Sequence, residues 1–186
     1  MRKKALISGL ILIVAALVIF STTTVSSKNA GSFKYVGVSK CVTCHKTEAQ
    51  GKQQDIWQNS QHSKAFKTLQ TEAADKIAKD KGFNTKAAET PQCVKCHVLG
   101  KDIVADELAE SFNKEDGVQC ESCHGPGSEY KAMSIMKDKQ KSIENGMNPI
   151  SDINQLCTGC HNSESPTFKD FKFDEMWGKI KHNKAK

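Results

Sequence analysis

Four copies of one pentapeptide, Cys-x-x-Cys-His, take up every cysteine in this chain, and no other feature limits so tightly what it can fold into. They are Cys41 to His45, Cys93 to His97, Cys120 to His124 and Cys157 to His161, two cysteines each, with none of the 8 left over. Two cysteines three positions apart lie on one side of a helical turn. They can form thioether bonds to the two vinyl groups of one porphyrin, and the next residue, histidine, then falls beneath the iron as its proximal ligand. A single copy is compatible with a zinc knuckle or a redox disulfide. Four copies with complete cysteine usage read as four covalently bound c-type haems, held through Cys41, Cys44, Cys93, Cys96, Cys120, Cys123, Cys157 and Cys160. The intervals between the motifs are uneven, so this is repeated attachment and not the period of a solenoid.

The apolar supply is thin for a chain of 186 residues. Hydrophobic residues make up 38%, part of them in an N-terminal run, and the aromatics are only 8 Phe, 2 Trp and 2 Tyr. Porphyrins are large apolar bodies around which chain can fold. The expectation is therefore an all-α, loop-rich domain with negligible sheet, in which haems form most of the core. The formal charge of +6 is misleading. Of the 27 basic residues, Arg2, Lys3, Lys4 and Lys28 lie before Gly31 and no acid does, leaving 23 basic against 21 acidic residues in the remainder. Eight haem propionates would lower the balance further, which excludes nucleic-acid binding on grounds of charge.

Residues 1–30 read as an export signal or an N-terminal membrane anchor, and 31–186 as the tetrahaem domain. Arg2-Lys3-Lys4 is a basic start, residues 5–20 are an apolar run broken only by Ser8 and Gly9, and a polar Ser/Thr stretch follows. Sixteen residues is short of the roughly twenty that span a bilayer, yet no A-x-A cleavage site is obvious, so cleavage and anchoring through 5–20 both stand. Either outcome exports the domain, giving a periplasmic location. Beyond the first motif, 46–81 lacks proline and is rich in Ala, Gln, Lys and Glu, which favours helix up to Asp80-Lys81-Gly82. The second and third motifs begin only 27 positions apart, suggesting that they are neighbours. Residues 129–143 read as a helix carrying Tyr130, Met133 and Met136. In 171–186, Phe173, Met176, Trp177 and Ile180 recur at helical spacing and mark an amphipathic terminal helix.

Iron ligands can be counted. His45, His97, His124 and His161 are the proximal set, and of 6 histidines only His62 and His182 remain. Both are read as distal ligands, because imidazole suits iron and coordination positions outnumber the histidines left to fill them. At most two haems can then be bis-histidine. The other two require methionine, another donor or an open position; Met133 and Met136 are the candidates, against the simpler reading that they fill a helix face. Met147 and Met176 are read as packing residues, and Tyr130 as packed or hydrogen-bonded.

With these residues in place the chain resembles the tetrahaem cytochrome c-554 family. The likeness rests on the first motif followed by Trp57-x-x-Ser60-x-His62-x-x-Ala65, on Gly117 through the third motif to Gly125-Pro126-Gly127, and on Phe171 to Met176 with a histidine shortly beyond. The resemblance implies a mainly helical fold with porphyrins stacked in close pairs. It also implies electron shuttling in the periplasm, from a hydroxylamine-oxidising enzyme in nitrifying bacteria. Family members have three bis-histidine haems and a five-coordinate second haem, for which nitric oxide reduction has been proposed. By position, His62 and His182 become distal ligands and the haem on His97 the open one. The chain departs from the family after Gly127. Relatives place a further distal histidine there, and this chain has Tyr130, Met133, Ser134 and Met136.

Three functions follow as expectations. The first is an electron carrier between redox proteins: cytochromes, quinol- or hydroxylamine-oxidising enzymes, terminal reductases. The second is a redox enzyme acting on nitric oxide or hydroxylamine at an open haem. No proton donor for it is identified, since Asp102, Asp106, Glu107 and Glu110 read as a solvated face. The third is a subunit of a larger multihaem assembly whose neighbours donate ligands.

Overall fold

The computed structural model describes residues 33–182. The apolar run at 5–20, the boundary at residue 30 and the last four residues lie outside them. Among the described residues, no helix is long and apolar enough to cross a membrane.

The chain is a string of short helices: α1 (Gln53–Asn59), α2 (Ala65–Thr68), α3 (Glu72–Asp80), α4 (Pro91–His97), α5 (Cys120–His124), α6 (Met133–Met136), α7 (Lys139–Glu144), α8 (Ile153–Thr158) and α9 (Phe173–Ile180). Single 3-10 turns punctuate them. Extended pairing among the described residues is one isolated parallel bridge, Tyr35 to Leu108. The all-α, loop-rich expectation holds.

The helical stretch expected over 46–81, with Gly51 as its point of interruption, is three helices, for local reasons. Gly51 (φ 94°) and Lys52 (φ 54°) adopt left-handed backbone, so α1 starts only at Gln53. It ends at Ser60, whose hydroxyl donates to the Trp57 carbonyl at 2.7 Å, while Ser63 Oγ donates to the carbonyls of Gln58 and Ser60. Serine side chains here compete for the backbone acceptors that a continuing helix would use. Thr71 then caps α3, its side chain accepting from the Ala74 N–H. The helix expected over 129–143 is likewise divided. Asp138 sits in extended backbone between α6 and α7 and caps the latter by accepting from the Lys141 N–H. Pro91 opens α4, because proline at the first helical position loses no hydrogen bond. The amphipathic terminal helix is present as the eight residues of α9, with the rings of Phe173 and Trp177 nearly parallel at 6.4 Å.

One small cluster forms the apolar core: Tyr35, Phe66, Leu69, Ala78, Ala87, Val98 and Leu99. It joins α2, α3 and the C-terminal end of α4. Tyr35 is drawn in by the bridge, its N–H donating to Glu107 O and its carbonyl accepting from Ala109 N. Past Ser142, no described residue is buried.

Candidate haem-binding site

Each pentapeptide sits on a helical turn, which is what its spacing demands. The first follows the 3-10 turn Val38–Lys40, with His45 N–H reaching Cys41 O at 3.1 Å. The second ends α4 and the third is α5. The fourth runs off the end of α8, with His161 N–H to Cys157 O at 2.9 Å. All eight cysteines are free thiols and none is fully buried.

The sulfurs are ordered across motifs. Cys41 and Cys120 lie close enough to interact, and that interaction pushes the Cys41 thiol up and pulls the Cys120 thiol down. Cys160 lies against Cys96, and burial followed by that neighbour raises it to about 12. Cys123 lies near Cys157. The motifs therefore neighbour one another in the order first, third, fourth, second. The second and third also touch through the backbone, Ser122 Oγ donating to Val98 O at 2.6 Å, but their cysteines face other motifs.

Histidines form two facing pairs. The His62 and His161 rings are 6.1 Å apart, and those of His124 and His182 are 5.8 Å apart. A His nitrogen binds a metal at about 2.0 Å, so two imidazoles on one ion have nitrogens ~4 Å apart and ring centres, each set back by about an ångström, near 6 Å. Both pairs have that separation. Burial and then the facing ring hold His62 below its ordinary pKa. Burial, then His182 and His45, do the same for His124. Both are thereby kept as neutral imidazole, the form that ligates metal. His161 stacks on Phe171 at 4.8 Å. His97 has no histidine ring opposite it, and its Nδ1 lies 2.7 Å from Ala65 O. A carbonyl only accepts, so the proton is on Nδ1 and Nε2 is left for a metal.

Three segments hold this arrangement. Gly117 (φ +71°) lets the chain run against the His62 backbone, where a Cβ would collide with His62 O, and Val118 N–H bonds that same carbonyl at 2.9 Å. Trp57 Nε1 donates to Val118 O at 2.8 Å, so the segment carrying His62 is fastened to the approach of the third motif. Glu121, the first variable residue of that motif, is 1% exposed. Its carboxylate accepts from the N–H groups of Val36 (2.9 and 3.0 Å), Gly37 (2.7 Å) and Gly127 (2.6 Å). Burial pushes its carboxyl up, against the downward pull of those three donors. Gln119 Oε1 adds a bond from Val38 N–H at 2.6 Å. Neither Glu121 nor Gln119 is marked by any sequence pattern; a buried carboxylate at a variable position becomes visible only when donors 84 and 85 positions away are in place. The stacking of Phe171 on His161 has no local signal either.

Met133 is 65% exposed and Met136 half-buried on α6. Tyr130 is buried, its hydroxyl donating to Gly125 O at 2.9 Å. A cavity of about 460 Å³ between Phe33, Tyr35, Lys101, Glu107, Pro126, Ile143 and Glu144 includes no motif residue.

These residues fit c-type haem: free thiols in helical pairs, imidazoles at a metal-spanning separation, and a core too small for the chain. They do not fit zinc, since no three of the described His, Cys, Asp or Glu side chains converge on a metal-sized site. Comparison with known proteins agrees. Residues 40–125 match the family model of cytochrome c554 and c-prime. The chain is 29% identical over 191 residues to cytochrome c-554 of Nitrosomonas europaea, an alignment covering 86% of this chain and 79% of that protein. No solved structure matches.

Proposed function

We propose, for this member of the cytochrome c-554 family, a tetrahaem electron carrier of the periplasm that passes single electrons between redox proteins. The coarser statement, a c-type cytochrome in electron transfer with covalently bound haem, follows from the family itself. The number and arrangement of the haems, the location and the partners are our reading. Cys41, Cys44, Cys93, Cys96, Cys120, Cys123, Cys157 and Cys160 attach four haems. His45, His97, His124 and His161 would hold the irons, with His62 and His182, which pair with His161 and His124, as second ligands. Bound haem would supply the one-electron redox chemistry.

The observation that carries this reading is the order of the cysteine sulfurs. Cys41 is electrostatically linked to Cys120, Cys123 to Cys157 and Cys160 to Cys96, which puts the four motifs in one series of neighbours. The rest of the chain holds groups in place. The Ala65 carbonyl orients His97 through Nδ1. Burial keeps His62 and His124 neutral. Glu121 ties Val36 and Gly37 to the third motif. Residues 1–30 act as the export signal or anchor. Physiological partners are other redox proteins, such as cytochromes, quinol- or hydroxylamine-oxidising enzymes, or terminal reductases.

The test is a haem count by pyridine haemochrome, followed by an electrochemical titration of the purified holoprotein. Four haems per chain and four one-electron steps are expected. In addition, His62→Ala and His182→Ala should each convert one low-spin ferric haem to high spin in the EPR spectrum. Fewer than four haems, or no spin change in either variant, would reject the arrangement.

A further inference from the structure

We propose that the iron above His45, as well as the one above His97, is open to a small uncharged diatomic ligand, so that the chain has two ligand-binding haems. This rests on the tetrahaem reading just given. All 6 histidines of the chain lie among the described residues. Four of them are used in facing pairs, His62 with His161 and His124 with His182. His45 and His97 have no imidazole opposite.

Of the possible donors that follow Gly127, where relatives place the missing histidine, Tyr130 is hydrogen-bonded elsewhere, Met133 is exposed and Met136 is half-buried. Tyr130 reaches this part of the molecule and interacts with Cys41 and Cys120. Its hydroxyl is committed to Gly125 O, and the ring is buried in that position. Met133, three residues on, is turned to solvent at 65% exposure. Met176, at the far end of the chain, is exposed and its sulfur accepts from Lys179 Nζ. An iron with neutral imidazole on one side and no strong donor on the other takes ligands of the carbon monoxide and nitric oxide class.

The placement of the two open positions is regular. The first motif touches the third through Cys41 and Cys120, and the second touches the fourth through Cys96 and Cys160. Each motif without a facing histidine thus adjoins one that has a facing histidine. The two paired motifs are in turn neighbours through Cys123 and Cys157. The order is open, closed, closed, open: two ligand-binding ends joined by two bis-histidine centres.

The experiment is a carbon monoxide titration of the dithionite-reduced holoprotein, followed in the Soret band, after the haem count has returned four per chain. A count other than four defeats the tetrahaem reading and not this inference. Two carbon monoxide molecules per chain are expected, with two high-spin ferric haems in the oxidised EPR spectrum. One or none overturns the proposal. One that rises to two in Met136→Ala also overturns it, identifying Met136 as the ligand above His45. To place the second site, the triple variant Cys93→Ala, Cys96→Ala, His97→Ala removes the second haem. One bound carbon monoxide per chain is then expected, and none overturns the assignment. If that variant does not fold, the wild-type stoichiometry still decides.

Discussion

The third and fourth motifs are the same pentapeptide held in opposite ways. Around the third, Gln119, Glu121, Gly125, Gly127 and Tyr130 are buried. Backbone donors from residues 36–38 and from Gly127 converge on two of these side chains. Around the fourth, no residue between 143 and 182 is buried. The motif is fixed by its own helical turn, by Phe171 against His161, and by an exposed ion pair between Lys95 and Glu164 at 3.4 Å. The difference teaches that one motif is held by the polypeptide, through long-range hydrogen bonds that water cannot reach, while the other has little of the polypeptide to hold it. On the proposed reading, the ordering of the fourth motif comes with its porphyrin and with His62.

The contrast can be broken most severely at Glu121. Removing the carboxylate strands three buried N–H groups, and a hydrogen bond to a charged acceptor is worth about 1.5–3 kcal/mol, with more lost when donors are left unsatisfied. Glu121→Ala is expected to lower the unfolding free energy of the holoprotein by about 3 kcal/mol in guanidinium titration. A loss under about 1 kcal/mol would mean that the third motif is no better held than the fourth. At the fourth motif, Phe171→Ala removes one ring contact and is expected to cost only ~1 kcal/mol in the same titration, on the scale of a single aromatic pair. A loss equal to that of Glu121→Ala would erase the contrast.

Protons sharpen it. Glu121 has a carboxyl held above its ordinary value in the fold, so the folded state binds that proton more readily than the unfolded chain does. Its contribution is fully present below the ordinary carboxylate range and is lost as pH rises through the raised value. The thermal midpoint of the wild type should therefore fall more steeply over that interval than that of Glu121→Gln, and identical slopes would refute the assignment. The smallest effect belongs to Lys95. Its partner Glu164 and its own ammonium are solvated, and such pairs contribute little and are screened by salt. Lys95→Ala is expected to leave the thermal midpoint unchanged within error in moderate salt.

Much of the chemistry was legible in the chain because it is local. Attachment needs two thiols and an imidazole within one helical turn, and five consecutive residues supply all three. The limit of two bis-histidine centres needs only a count of histidines. The helical class followed from propensity and from motifs that are themselves helical turns. The boundaries were less legible. Ser60, Thr71 and Asp138 end or start helices through side-chain bonds whose acceptors and donors could as well have been elsewhere, so two expected helices proved to be five.

By itself, then, the sequence determined how many Cys-x-x-Cys-His motifs the chain carries and how few histidines lie outside them. Only the tertiary structure decided which imidazoles pair, that the motifs neighbour one another in the order first, third, fourth, second, and that Glu121 anchors the segment at Val36 and Gly37. The physical reason is separation. His62 and His161 are 99 positions apart, and Val36 and Glu121 are 85 apart. Contacts of that range depend on how every intervening turn is closed, and no short pattern of residues records it.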